Sequence, residues 1–470
     1  MLALDANQRI TPLEVLKHPF FDPGLSRRTP CTDMNSTGEN SLCSLSSLQA
    51  GKVMDQAFLG EGGFGLVTRC RDTKNNKTIA IKVNKSDPEI LLQAKLEIFI
   101  LEQLRRLDPG RCNIVEWNGY FLDGERICLN FELLDQSLWD YIGDRNNQGL
   151  PMRELRPILH QLANALFHLG SVGIVHADLK PGNIMVVNRS ESPVKVKLID
   201  FGLACPASAV IPGDRVGTIG YCAPEVMLGI PYDKAIDMWS LGLVAVELAT
   251  GVPLYPGGDD YDVLKFIIET QGQLPDHLLE SGLYTDSYFI EDNYNKQRWT
   301  FKTQEQFQYE TDYRSKETRY IKLKRLDDLE QLLKVRRGPE NGQTLFVRLI
   351  KEMLALDANQ RITPSEVLKH PFFDPGLSRR TPNSRGARNR FCFKLFSLTH
   401  THTHTHTHTH TLCNVSARKY PWIHPFMLFM PNSDPTICMS EQKSRLIRPG
   451  NIYPIFSCQI LRTVASISCS

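Results

Sequence analysis

Four polar residues fall close together near the middle of the chain. Asp178, Lys180 and Asn183 lie in Val175-His176-Ala177-Asp178-Leu179-Lys180-Pro181-Gly182-Asn183, and Asp200 lies in Val196-Lys197-Leu198-Ile199-Asp200-Phe201-Gly202. A carboxylate such as Asp178 can accept or orient a hydroxyl proton. The Lys180 ammonium can neutralise an anionic group in transit. Asn183 and Asp200 offer hard oxygen ligands, which suit Mg²⁺ shared with phosphate oxygens. Together these types fit phosphoryl transfer, a reaction that asks a protein mostly for positioning and charge neutralisation.

The elements that must hold these residues are legible around them. A helical stripe of Ile158, Leu162, Leu166 and Leu169 precedes the first loop, closed by Gly170 and Gly173. Well upstream, Leu59-Gly60-Glu61-Gly62-Gly63-Phe64-Gly65-Leu66-Val67 carries G-x-G-x-x-G. In a dinucleotide fold such glycines open a helix. Here Leu66 to Cys70 alternates like a strand, so the glycines are expected at a hairpin tip, where backbone N–H groups can approach phosphate oxygens. Taken alone, the segment fits an ordinary glycine-rich hairpin equally well. Thr78 to Val83 is rich in β-branched residues and predicts a strand carrying Lys82. A strand lysine usually faces water at an edge. Behind a glycine hairpin it reads as the cation for the α- and β-phosphates. Helical spacing from Ala94 to Leu101 offers Glu97 as its partner, with Glu102 as the rival carboxylate.

In this order the motifs resemble the eukaryotic protein kinase superfamily over about Val53 to Phe373. Ala223-Pro224-Glu225 and Asp237-Met238-Trp239-Ser240-Leu241-Gly242 extend the match. More closely the chain resembles the homeodomain-interacting protein kinases, neighbours of the dual-specificity tyrosine-regulated kinases. His176-Ala177-Asp178, the Ala235–Gly242 segment, Pro253-Leu254-Tyr255-Pro256-Gly257 and an insert-like stretch from Gln273 to Leu332 carry that likeness.

The resemblance implies an α+β, bilobal protein kinase fold, with a β-rich N-lobe over 53–134 and a helical C-lobe over 135–373. It implies Mg²⁺ and ATP as cofactors, with protein serine and threonine as substrates, because Lys180-Pro181-Gly182-Asn183 and Gly217-Thr218 look like serine/threonine kinases. By the same match Thr218 hydrogen-bonds Asp178 and Lys180. The ATP site takes in Leu59, Gly60, Glu61, Gly62, Gly63, Phe64, Gly65, Lys82 and Phe131, with backbone groups of Glu132 and Leu134 toward adenine. Val67, Ala80 and Met185 sandwich the ring. Leu356 to Pro364 resembles the closing helix, whose Arg361 pairs with Glu225. Leu101, Trp117, His176 and Phe201 stack as a spine, and Asp237 anchors the catalytic loop. Independently of the resemblance, Met238, Leu241, Ala245 and Leu248 form a helical stripe fit for a central post.

The chain departs from these relatives in one segment. Their autophosphorylated tyrosine falls at Arg215, and their arginine before Ala-Pro-Glu falls at Cys222. Arg215 can pair with a nearby carboxylate or point into water; both readings stand at this point. Cys222 weakens any carried-over preference for proline after the phosphorylated residue. Cys205 is read as a buried inert thiol, with a reactive one as the rival.

Outside the domain the signals are thin. Residues 1–30 repeat 353–382 except at Leu13 against Ser365, and read as an orphan copy of a kinase C-terminal segment left by duplication or misjoining. Residues 31–52 read as a linker. Residues 374–470 read as a disordered or spurious tail, with a Thr-His alternation from Thr399 to Thr411 that a dinucleotide repeat would encode. Lys and Arg total 54 against 52 Asp and Glu, so charge argues for neither a nucleic-acid nor a membrane partner. The 12 cysteines form no metal-binding pattern and fit a reducing compartment. No apolar run is long enough to span a bilayer. A monomer in the nucleus, the cytoplasm or both is expected, the nucleus resting on the resemblance and on Arg379, Arg380, Arg385, Arg388 and Arg390. Transcriptional regulators are partners implied by the resemblance. Two functions are carried forward: an active serine/threonine kinase, and a kinase-fold binding or scaffold protein from a duplicated locus.

Overall fold

Five strands between Val53 and Glu132 build an antiparallel sheet. The strands are β1 (Val53–Gly62), β2 (Gly65–Asp72), β3 (Thr78–Asn84), β4 (Trp117–Asp123) and β5 (Arg126–Glu132), in the order β1-β2-β3-β5-β4. The computed structural model describes residues 53–291 and 298–374. The 1–30 repeat, the 31–52 linker, the arginine patch and the Thr-His stretch lie outside the described residues.

Register decides which side chains face the cleft. Val67 pairs with Lys82 and Ala80 with Phe131, so these four share one face of the sheet. The other face buries Cys70, Ile79, Ile81, Val83 and Cys128 in a separate small core.

Helix α1 (Pro88–Leu104) leaves the sheet after β3. Asp87 caps it by accepting the N–H groups of Glu89 and Ile90, and Pro88 sits in its first turn, where no N–H is needed. Its buried face is Ala94, Glu97, Ile98, Ile100, Leu101 and Leu104. Glu97 is therefore a carboxylate on a hydrophobic face, which calls for a cation opposite it.

The second lobe is helical. The predicted stripe lies on α2 (Met152–Ser171), which buries Ile158, Leu162, Leu166 and Leu169. Gly170 falls inside this helix, and Gly173 just beyond it takes φ +72. The post predicted around Met238 is α3 (Ala235–Thr250). Every residue from Ile236 to Thr250 is buried, so it is surrounded on all sides rather than along one stripe. Each large apolar side chain it removes from water contributes about 1.5–3 kcal/mol.

Helix α4 (Asp260–Gln271) follows, and the 273–332 region folds against it. Strands β11 (Phe289–Glu291) and β12 (Trp299–Phe301) form a hairpin, and Tyr261 stacks with Phe301 at 4.9 Å and Phe307 at 4.2 Å. The stretch resembling a closing helix is instead a short 3₁₀ turn at Ala358–Gln360 followed by a one-turn helix at Pro364–Val367. Asp357 accepts the Asn359 N–H and Glu366 accepts the Thr363 N–H, local bonds that compete with a continuous helix.

Four two- to three-residue strands, β6 (Gln136–Ser137), β7 (Ile174–Val175), β8 (Ile184–Val186) and β9 (Val196–Leu198), frame the site; β6, β8 and β9 pair in one sheet. The last short strand, β10 (Cys205–Pro206), pairs with β7. One core cluster runs through both lobes and contains Leu101, Trp117 and Phe201. His176 packs its ring edge-on against Phe201 at 5.1 Å, which is the predicted stacking of those two residues.

Candidate active site

The loop between β7 and β8 is set by Asp237 at the start of α3. Its carboxylate accepts the N–H groups of His176 at 2.8 Å and Ala177 at 2.9 Å. Burial pushes the Asp237 carboxyl up, against the pull of the His176 charge and the two N–H donors. Those bonds hold a strained backbone. Ala177 has φ +65, and among the described residues every other non-glycine positive φ belongs to Asn or Asp. A left-handed alanine costs about 1–2 kcal/mol, so Asp237 is structural support for the loop.

This loop delivers Asp178, Lys180 and Asn183 to one point. Lys180 Nζ lies 2.8 Å from Asp178 Oδ2 and donates to Thr218 Oγ1 at 2.8 Å. Thr218 donates in turn to Asp178 Oδ1 at 2.6 Å. Asn183 Nδ2 donates to Asp178 Oδ2 at 2.9 Å and to its carbonyl at 2.8 Å. Thr218, expected beside Asp178 and Lys180, thus closes a ring of hydrogen bonds across forty residues of sequence.

Across the cleft Lys82 donates to Glu97 Oε2 and to Asp200 Oδ1, both at 2.9 Å. The rival carboxylate Glu102 pairs with Arg105 instead. Burial alone would lower the Lys82 pKa, but the charges of Asp200 and Glu97 hold it above its ordinary value. Burial likewise opposes charge on Asp200, yet Lys82 holds that carboxyl below the usual range. Both groups therefore stay ionised at neutral pH.

The metal expectation can be judged from the atoms left over. Asn183 spends its Nδ2 on Asp178, and Asp200 spends Oδ1 on Lys82 and the Gly202 N–H. Asn183 Oδ1 and Asp200 Oδ2 have no partner among the described residues. No cluster of three or more His, Cys, Asp or Glu fit for a metal occurs among those residues. One carboxylate and one amide oxygen suit a Mg²⁺ that keeps waters and shares phosphate oxygens, not an all-protein cage.

The hairpin tip lies where the glycine pattern predicts it, with Gly62 paired to Gly65 around Gly63 and Phe64. The glycines are not equivalent. A Cβ at Gly65 would meet the Val83 carbonyl oxygen at 2.0 Å, so β3 demands glycine there. A Cβ at Gly60, Gly62 or Gly63 would meet nothing within 4 Å, which leaves the open backbone a phosphate needs. Leu59 and Glu61 are exposed on β1, and the Phe64 ring lies 5.7 Å from Lys82 Nζ.

Ala80, Phe131, Val67 and Met185 are each half-buried. The Glu132 side chain turns away to Lys197 and to the Glu116 N–H. Leu134 is buried, yet its backbone N–H and C=O make no hydrogen bond among the described residues. An adenine edge could satisfy both.

Several contacts carry no local sequence signal. Gln93 on α1 donates to the Gly202 carbonyl, Tyr221 donates to Glu247 at 2.6 Å, and Arg215 pairs with Asp260. Each partner is distant in sequence, so only the fold reveals it. Of the two readings of Arg215, the structure has the one with a carboxylate partner. Cys205 is half-buried, and burial pushes its thiol up to about 12, which suits an inert cysteine. Arg361 meets Glu225 at 2.6 and 3.1 Å, as the resemblance implies.

The family described as protein kinase domain matches residues 54–373. The chain is 39% identical over 340 residues to homeodomain-interacting protein kinase 2 of Mesocricetus auratus, covering 70% of this chain and 29% of that protein. It is 37% identical over 334 residues to homeodomain-interacting protein kinase 1 of Caenorhabditis elegans, covering 67% and 39%. To homeodomain-interacting protein kinase 4 of Homo sapiens it is 35% identical over 333 residues, covering 67% and 54%. The matched region thus spans from under a third to about half of the length of these relatives.

Proposed function

The chain belongs to the protein kinase domain family, and from that premise we propose that it is an ATP-dependent serine/threonine kinase. In this reading Asp178 takes the proton of a substrate hydroxyl as its oxygen attacks the γ-phosphorus. The bond from phosphorus to the β–γ bridging oxygen breaks, and ADP leaves. Lys180 neutralises the transferring group, and Thr218 holds both side chains beside the hydroxyl. Lys82, fixed by Glu97, meets the α- and β-phosphates. Asn183 and Asp200 would hold Mg²⁺, which supplies positive charge against the phosphate oxygens. Leu59, Gly60, Glu61, Gly62, Gly63, Phe64 and Gly65 cover the phosphates. Val67, Ala80 and Met185 enclose adenine beside Phe131, Glu132 and Leu134.

The observation that carries the reading is the closed ring of Asp178, Lys180 and Thr218, with Asn183 bonded to Asp178 beside it. A scaffold that had shed catalysis would not need all four groups so placed. The test is transfer of radiolabel from ATP by the full chain to a degenerate Ser/Thr/Tyr peptide library, with Asp178→Asn as the blank. Label on serine and threonine above the blank supports the proposal. A wild type no better than the blank returns the scaffold reading. Label on tyrosine alone defeats the serine/threonine assignment.

The likeness to kinases named for interacting with homeodomains motivates transcriptional regulators as protein partners of a monomeric enzyme. Residence in the nucleus, the cytoplasm or both is proposed with it, and imaging of a tagged full chain tests that. The domain limits of 53–134 and 135–373 are part of the same proposal, checkable by limited proteolysis.

A further inference from the structure

The stretch from Phe201 to Cys222 contains three hydroxyl side chains, Ser208, Thr218 and Tyr221. Thr218 is committed to Asp178 and Lys180, Tyr221 to Glu247, and Ser208 is exposed. What fastens this stretch is a cation. Arg215 Nε donates to Asp260 Oδ2 at 2.7 Å and Nη2 donates to Oδ1 at 2.5 Å. Its Nη1 donates to the Val216 carbonyl at 2.6 Å and to Cys222 Sγ at 2.9 Å. All three guanidinium nitrogens are used. The Arg215 and Asp260 side chains are 30% and 11% exposed, so water screens the pair only in part.

Asp260 is a fixed anchor. It opens α4, where the helix dipole favours a carboxylate. Its neighbour Tyr261 is stacked on Phe301 and Phe307 and donates its hydroxyl to the Lys302 carbonyl at 2.9 Å. Two residues before Arg215, the Gly213 carbonyl accepts the Tyr284 hydroxyl at 2.7 Å. The 273–332 region therefore grips the stretch on one side while Arg215 ties it to α4. On the other side the tie reaches the catalytic loop. Val216 is buried, and Gly217 takes φ +81 with its Cα so close to the loop that a Cβ would lie 2.8 Å from the Ala177 carbonyl oxygen. The next residue is Thr218.

We propose that the Arg215–Asp260 pair is a built-in latch. Arg215 is a positioning residue that, through Val216 and Gly217, sets Thr218 against Asp178, so that turnover needs no phosphorylation of this stretch. The inference rests on the kinase reading for its claim about turnover; the latch itself is a statement about geometry.

The test uses the full chain, treated with phosphatase until its intact mass shows no phosphate. Turnover on a Ser/Thr peptide library is measured against Asp178→Asn. Arg215→Ala, Asp260→Ala and the double variant form a cycle, and amide exchange is followed over 207–222. The phosphate-free wild type is expected to keep its rate. Each single variant is expected to lose about 10²-fold in kcat, the scale of a misplaced reacting group, with the KM for ATP nearly unchanged. The double variant should be no worse than the worse single one, because one contact is lost in all three. Exchange over 213–222 should rise in each variant. Loss of turnover on dephosphorylation, additive losses in the cycle, or wild-type exchange in Arg215→Ala would each overturn the latch. A wild type that matches Asp178→Asn while the exchange pattern holds instead overturns the kinase reading and keeps the latch as geometry.

Discussion

Thr218 donates its hydroxyl to Asp178 Oδ1 across 2.6 Å while accepting from Lys180 Nζ at 2.8 Å. One small side chain thereby orients both the proposed base and the proposed charge neutraliser. The hydroxyl is what matters, since a methyl group cannot bond either neighbour.

Thr218→Ser should therefore retain most activity, and Thr218→Val should lose about 10- to 100-fold in kcat, as expected when a charge-assisted hydrogen bond near the reacting atoms is removed. Steady-state kinetics on a peptide library checks this. Equal rates for the two variants would remove Thr218 from the mechanism.

The glycine hairpin makes a separable prediction. Gly65→Ala forces a Cβ to within 2.0 Å of the Val83 carbonyl oxygen, which β2 and β3 cannot absorb without parting. It should lower stability by about 2–4 kcal/mol. Gly63→Ala meets nothing within 4 Å and should leave the melting temperature unchanged while raising the KM for ATP. Thermal melts and nucleotide titrations distinguish the two. A stable Gly65→Ala would contradict the register of β2 with β3.

Arg361 and Glu225 form a bidentate pair whose side chains are 0% and 4% exposed. Removing one partner leaves a buried charge without its neighbour. Glu225→Gln and Arg361→Met should each cost about 3–5 kcal/mol in denaturant unfolding. A loss under 1 kcal/mol would mean that the pair is not closed in solution.

Burial pushes the thiols of Cys128, Cys205 and Cys222 from an ordinary 9.0 up to about 12 each. Their folded-state pKa lies above the unfolded value. The stability they contribute is thus fully present below pH 9 and is lost as pH rises toward 12. Melting temperature should be flat near pH 8 and fall steadily from pH 9 to 11. Alkylation of the native protein at pH 8 should spare these three positions, as mass spectrometry would reveal. Rapid modification of Cys205 there would mark it as a reactive thiol.

Much of the fold was readable in short stretches. The alternation in Leu66–Cys70, the β-branched run of Thr78–Val83 and the stripe from Ile158 to Leu169 each depend on neighbours within a few positions. Such periods are imposed by the strand and helix repeats themselves, so local sequence carries them. The closing segment after Leu356 was expected to be helical from the resemblance alone, and local side-chain bonds at Asp357 and Glu366 go with two short pieces there instead.

The site divides in the same way. The sequence by itself determined which groups are available for the proposed phosphoryl transfer: Lys82, Asp178, Lys180, Asn183 and Asp200 occur in an order and spacing that suit it, since residue type and local spacing are written in the chain. The Lys82–Glu97 and Arg361–Glu225 pairs were expected from the sequence and its resemblance, and tertiary structure closed them and decided between the alternatives left open. It placed Glu97 rather than Glu102 against Lys82, put Ala177 in a left-handed conformation under Asp237, and joined Arg215 to Asp260. It also separated Gly65, which packing requires, from Gly60, Gly62 and Gly63, which stand in open space. The physical reason is distance along the chain. Arg361 and Glu225 are 136 residues apart, and which buried charge meets which is chosen by how the helices pack, a choice that no local period encodes.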